Sequence, residues 1–339
     1  MSLEISTLPP PPSIPPTTLH MSGLLVDVYG LSSLDPSTTH VSCLWLHHPR
    51  TRNKGYMADI AARCIGAWNE RDNTKGRGLV ALAFDQRNHG GRLVEEKANG
   101  AWREGNARHA VDMFGGVRGM VVDQGLLLDL VEGYLFPDGA IKIDQHLALG
   151  VSLGGHSVWQ LMFADPRVTA GVVIVGCPDY MNLLTDRARL SKLATYSTAD
   201  SGASFLGSAD FPPSLVASCA NFDPKGIFFG PAAVPTGHAA PDAAVRHVFR
   251  ERLRGKKFLL CSGGDDKLVP PRCGEAFVGW FKKAAGEWFR EERVEVDERV
   301  YAGVGHAFSA EMVVDAVRFV VEVVGGAENA GGEEGRAKI

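Results

Sequence analysis

Short apolar runs alternate with longer segments of helical period along most of this chain, and that rhythm leaves few folds open. The runs occupy residues 24–29, 41–47, 79–84, 146–151, 170–176, 257–262 and 294–300. Residues 56–68, 117–135 and 155–163 are predicted helices between them, the second with Val117, Val121, Leu128 and Val131 on one face, and 310–324 closes the series. Runs that are apolar throughout need cover on both faces, and parallel neighbours need crossover helices that provide it. The expected fold class is therefore α/β: a doubly wound, mostly parallel sheet with helices on both faces.

One large domain, residues 21–325, accounts for most of the 339 residues. Residues from about 178 to 250 break the rhythm with Pro, Gly, Ala and Ser, and read as a lid-like insertion between two strands. Residues 1–20 hold six prolines between Pro9 and Pro16 and read as a disordered lead, and removal of residues 1 to about 18 is expected to leave folding and activity intact. The tail, 326–339, reads as disordered too. The lead carries Glu4 and no Lys or Arg, unlike a signal or transit peptide. The longest apolar stretch of the chain, around 168–177, is too short for the roughly 18 residues of a membrane span. A net charge of −4 without a concentrated basic face argues against nucleic acid as a partner. Six scattered cysteines, with no Cys-x-x-Cys and no zinc-type spacing, are expected to be reduced thiols in a cytoplasmic setting, and no metal site is expected.

Chemistry enters at Gly150-Val151-Ser152-Leu153-Gly154, which ends one apolar run and opens a helix. A sharp strand-to-helix turn of this kind lifts the serine hydroxyl to the carboxyl edge of the sheet, and its glycines avoid collision with neighbouring backbone. A serine hydroxyl is a weak nucleophile near neutral pH and needs a base. His306, in the loop Ala302-Gly303-Val304-Gly305 after the last strand, is placed at the same edge. A carboxylate must then fix the imidazole tautomer. Asp265 and Asp266 both follow Gly263-Gly264 at the end of another strand, and Asp266, three residues before Val269, is the better placed.

Nucleophile, acid and base in the order Ser152, Asp266, His306 resemble the α/β-hydrolase superfamily. The turn Asp85-Gln86-Arg87-Asn88-His89-Gly90 is similar to the D-x-R-x-H-G turn of many members, and Gly-Val-Ser-Leu-Gly-Gly looks most like the dienelactone-hydrolase and prolyl-oligopeptidase-type esterases. The resemblance covers about residues 22–324. It implies an eight-stranded sheet, a lid after the sixth strand, and cleavage of a small-molecule carboxylic ester or thioester through an acyl-enzyme, with no cofactor. Two departures stand out. Only seven strands are visible, so an eighth is expected at an edge or within residues 32–40. After the third strand the sequence is His47-His48-Pro49-Arg50, where members usually have His-Gly and a residue donating an oxyanion-hole amide; proline has none. The hole is then expected from the Leu153 amide and a second donor among His48, Arg50 and Thr51, with Arg50 favoured. His48 and His89 are expected to line the substrate pocket. The alternatives are a small-substrate peptidase or amidase, and a hydrolase-fold binding protein with an idle triad.

Overall fold

The structure, a computed structural model, describes residues 2–72, 74, 76–237 and 240–334. Its strands are β1 (Ser2–Glu4), β2 (Thr17–Met21), β3 (Leu24–Tyr29), β4 (His40–His47), β5 (Arg77–Phe84), β6 (Lys142–Val151), β7 (Val168–Ile174), β8 (Lys257–Gly263), β9 (Glu295–Tyr301) and β10 (Ala307–Ser309). The helices are α1 (Ala58–Asn69), α2 (His109–Leu135), α3 (Leu153–Ala164), α4 (Tyr180–Ser191), α5 (Pro213–Phe222), α6 (Pro224–Phe229), α7 (Ala243–Leu253), α8 (Glu275–Lys283) and α9 (Ala310–Glu334). Eight strands form one sheet in the order β2-β3-β5-β4-β6-β7-β8-β9, parallel from β5 through β9, with β3 antiparallel to both of its neighbours.

Side-chain alternation explains why the runs are apolar throughout. Cys43 and Trp45 of β4, with Val80, Leu82 and Phe84 of β5, point into a core closed by α2, α3, α7 and α8. Leu44 and Leu46, with Leu79, Ala81 and Ala83, point into the opposite core under α1 and α9. Both faces are dry, so beyond the exposed His40 at the start of β4 these strands have no solvent side.

All seven expected strands are present. The eighth is β2, not a strand within 32–40: Thr17-Thr18-Leu19-His20-Met21 pairs antiparallel with β3 through the tight turn at Ser22 (φ 49°) and Gly23 (φ 83°). It is an edge strand following Pro15-Pro16, with only Met21 fully buried, so its apolar signal is faint.

The lead is docked rather than disordered. Ile5, Leu8 and Ile14 pack against the core under α1 and α9. Pro12 lies so close to Gly66 of α1 that a Cβ there would come within 2.5 Å of its ring. β1 pairs in parallel with β10, Ser2 opposite Ala307. Deleting residues 1–16 is therefore expected to lower the melting temperature by about 5 °C or more, since three half-buried aliphatic side chains stabilise by roughly 1 kcal/mol each. A melting temperature unchanged by the deletion would contradict this packing.

Two other boundaries differ. The second long helix begins at His109, because its first two turns bury Ala110, Met113, Phe114 and Val117 beneath the insertion and not on the sheet. The last helix runs past Gly325 to Glu334; the rest of the expected tail, residues 335–339, lies outside the described residues. Within 178–250, α4 and α5 roof the carboxyl edge, where Leu183, Leu184, Phe205, Phe211 and Leu215 gather around Leu153. Phe249 and Leu253 of α7 instead belong to the core of the sheet, so the end of that segment is the crossover helix leading into β8.

Candidate active site

Ser152 stands between β6 and α3 with φ 57° and ψ −111°, a conformation that is costly for a non-glycine residue and held by its surroundings. Its amide donates to the Ile174 carbonyl at 2.8 Å and its carbonyl accepts from the His156 amide at 3.0 Å. The flanking glycines are required sterically. A Cβ on Gly150 would lie 2.1 Å from the Gly154 oxygen, and one on Gly154 would lie 2.0 Å from the His47 oxygen. The turn thus wedges Ser152 against two neighbouring strands.

The structure brings Ser152, His306 and Asp266 into one hydrogen-bonded line. Ser152 Oγ is 2.7 Å from His306 Nε2, and His306 Nδ1 is 2.7 Å from Asp266 Oδ2. The other oxygen, Asp266 Oδ1, accepts from the amides of Leu268 (2.8 Å) and Val269 (2.9 Å). Asp265 is exposed and its amide donates to the Val304 carbonyl at 2.9 Å, while the Gly264 amide donates to Tyr301 at 2.8 Å. The acid loop and the histidine loop are thereby zipped together, and a Cβ on Gly263 would come within 2.3 Å of the Gly305 oxygen. Burial pushes the Asp266 carboxyl upward, but its bond to His306 and the two amides outweigh burial and hold it below the usual carboxylate value.

The remaining expected site residues divide. The amides of Leu153, His48 and Arg50 donate to no acceptor among the described residues. His48 does not line a pocket with its side chain. Its ring is fully enclosed, with Nδ1 donating to the Pro49 carbonyl (2.8 Å) and Nε2 accepting from the Gln86 amide (3.0 Å), so it ties the loop after β4 to the one after β5. His89 Nδ1 donates to the Arg87 carbonyl, which leaves Nε2 without a partner beside a cleft of about 740 Å³ also lined by Thr51, Tyr56, Asn99 and Glu104. Asp85 accepts from the amides of Lys54 and Gly91, fixing the same two loops.

Sequence reasoning places His109 near the cleft as a supporting group, and the structure packs it against Trp102 and Arg187, but it missed the polar groups around it: Trp102, His156 and Arg187. Only His156 carried a signal, as the residue after Gly154-Gly155. Among the described residues no cluster of side chains has the makings of a metal site, and no helix is long and apolar enough to cross a membrane.

Burial also sets a pH response. His47, His48 and His146 are pushed down to about 4, and His109 and His156 to about 3, in each case mainly by desolvation. Their ordinary value is about 6.5, so the unfolded chain binds more protons below that pH, and stability falls with falling pH until the folded values are reached. Each of these histidines is expected to cost about 1.4 kcal/mol per pH unit below 6.5. Urea midpoints at pH 7.5 and 5.5 measure this: a steep drop at the lower pH is the expected outcome, and equal midpoints would contradict it.

The architecture has solved counterparts. TT1662 from Thermus thermophilus superposes with a TM-score of 0.51 at 15% identity, over 92% of this chain and 99% of that one. An arylesterase gives 0.51 at 13% identity over 95% and 88% of the two chains. A Mycobacterium tuberculosis puromycin-hydrolyzing peptidase gives 0.52 at 15% identity over 92% of this chain but 39% of its own length. At such identities the likeness establishes the fold, which is the α/β-hydrolase fold. No family model and no curated protein matches the chain.

Proposed function

We propose that this protein is a serine hydrolase that cleaves a carboxylic ester or thioester through an acyl-enzyme. The observation that carries this reading is the continuous line from Ser152 Oγ through His306 to Asp266. With its Nδ1 proton donated to a carboxylate, the imidazole presents the Nε2 lone pair to the serine hydroxyl, which is the tautomer a general base needs. Ser152 Oγ attacks the substrate carbonyl as its proton passes to His306 Nε2. The developing oxyanion is held by the Leu153 amide at the start of α3 and by the His48 or Arg50 amide across from it. His306 then protonates the leaving group, and water releases the acyl chain by the same route in reverse. Leu153 and the apolar roof of α4 and α5 supply the surface for the acyl chain.

The neighbours named above include an arylesterase and a peptidase, so ester and amide bonds are both put to the test. Turnover of p-nitrophenyl esters from acetate to decanoate, compared with the matching p-nitroanilides, is expected to favour the esters and to vanish in Ser152→Ala. Faster anilide cleavage would make the protein an amidase or peptidase. Ester turnover that persists in Ser152→Ala would remove the serine mechanism. The six buried, unpaired thiols suit a cytoplasmic setting.

A further inference from the structure

Arg187, on α4 of the roof, reaches the acid's own loop: its Nη2 donates at 3.1 Å to the carbonyl of Leu268, whose amide holds Asp266. Its Nη1 donates to His109 Nε2 at 3.1 Å and contacts Met113 Sδ at 3.2 Å. Every one of these partners is neutral. Arg50, from the loop after β4, donates through Nη1 to the Asn99 carbonyl at 2.7 Å, again a neutral partner. Among the described residues no carboxylate lies within ion-pair reach of either guanidinium. Of the acids nearby, Asp186 pairs with Arg189 and Arg272, and Glu104, whose charge Arg50 feels without an ion pair, accepts from the Ala101 amide.

Several buried N–H donors near Arg187 also lack an acceptor. Its own Nε–H is buried and donates to nothing, and neither does the buried Trp102 Nε1–H, whose ring packs 4.9 Å from that of His109. His156 Nδ1 accepts from the Cys177 amide at 3.1 Å, which puts the ring proton on Nε2, and that buried N–H is likewise unpaired. After burial, the charge that His156 feels most is Arg187, followed by His306, Asp266 and Arg50, so both cations share the surroundings of the reacting groups. Burial, and then the charge of Arg50, pull the Arg187 guanidinium down to about 10, although both side chains are only half-buried and the Nη2 contact with Leu268 lies at the surface. Cations drawn partly out of water are ordinarily paired, and buried N–H groups ordinarily find acceptors.

We infer that the substrate carries a free carboxylate near its scissile acyl bond, recognised by the fork of Arg187 with Arg50 adding to the positive field. A planar carboxylate matches a guanidinium fork and supplies the acceptors that this cluster lacks. The position of the scissile bond rests on the serine-hydrolase reading of Ser152; the carboxylate site itself does not.

The test compares mono-p-nitrophenyl glutarate with p-nitrophenyl valerate, which is close in length and uncharged. The full chain is expected to prefer the anionic ester by about tenfold or more in kcat/KM. In Arg187→Met that ratio falls to about one, and in Arg187→Lys, which keeps a charge without the fork, it falls only in part. A full chain that favours the neutral ester, or a ratio unmoved by Arg187→Met, overturns the inference. A second arm needs no turnover: calorimetric titration of Ser152→Ala protein with succinate, glutarate and adipate. Binding of at least one, weakened tenfold or more by adding Arg187→Met and retained in part by Arg187→Lys, upholds the site even if neither ester is hydrolysed and the serine-hydrolase reading fails. Absence of binding by all three, or binding indifferent to Arg187, overturns it whatever the esters show.

Discussion

Asp266→Asn is expected to lower kcat by up to about 10⁴-fold with KM nearly unchanged, and Asp265→Asn by about tenfold or less. The asymmetry follows from the two carboxyl oxygens of Asp266. One accepts from the Leu268 and Val269 amides and the other from His306 Nδ1. In the asparagine variant the side-chain carbonyl keeps the two backbone donors, which turns the amide nitrogen toward His306. An NH₂ group in that place makes Nδ1 an acceptor and moves the ring proton to Nε2, facing Ser152, where a proton prevents the imidazole from acting as base. Asp265 is exposed and touches the histidine loop through its backbone, which the substitution preserves. Steady-state kinetics on one ester decide between them; equal losses or a reversed order would contradict the assignment.

Gly154→Ala is expected to destabilise the fold by about 3 kcal/mol or more, enough to cost most soluble protein. The new methyl would sit 2.0 Å from the His47 oxygen and 2.5 Å from its carbon, and both are backbone atoms of a central strand paired with β6. No rotamer change relieves such a contact. Gly279→Ala in α8 is the control, because nothing lies within 4 Å of a Cβ there and alanine favours a helix interior by about 0.5–1 kcal/mol. Denaturant midpoints should therefore move in opposite directions. A Gly154→Ala protein as stable as the parent would mean that the turn is not wedged as described.

What could be read from the sequence was whatever depends on local periodicity. The parallel strands are buried on both faces, so their runs stand out, and Ser152, Asp266 and His306 lie just beyond strand ends where a motif marks them. Three features escaped for physical reasons. β2 is an edge strand with little buried surface, hidden behind prolines that suggested disorder. The docking of the lead depends on scattered contacts by Ile5, Leu8 and Ile14 with helices far away in sequence. Arg187 sits in an amphipathic helix among ordinary polar residues, and only the fold brings it to the loop of Asp266. His48 misled in the other direction: a histidine beside the expected oxyanion loop reads as a pocket residue, yet its two ring nitrogens are consumed in joining loops.

The central claim is that Ser152 is an activated nucleophile, and intact-mass measurement after exposure to a fluorophosphonate tests it most directly. A single adduct, mapped by peptide sequencing to Ser152, is the predicted result. It should be absent in Ser152→Ala and retained in Ser157→Ala, whose hydroxyl in the parent donates to the Leu153 carbonyl at 3.1 Å inside α3. No adduct under conditions that label a known serine hydrolase, or an adduct on another residue, would contradict the account.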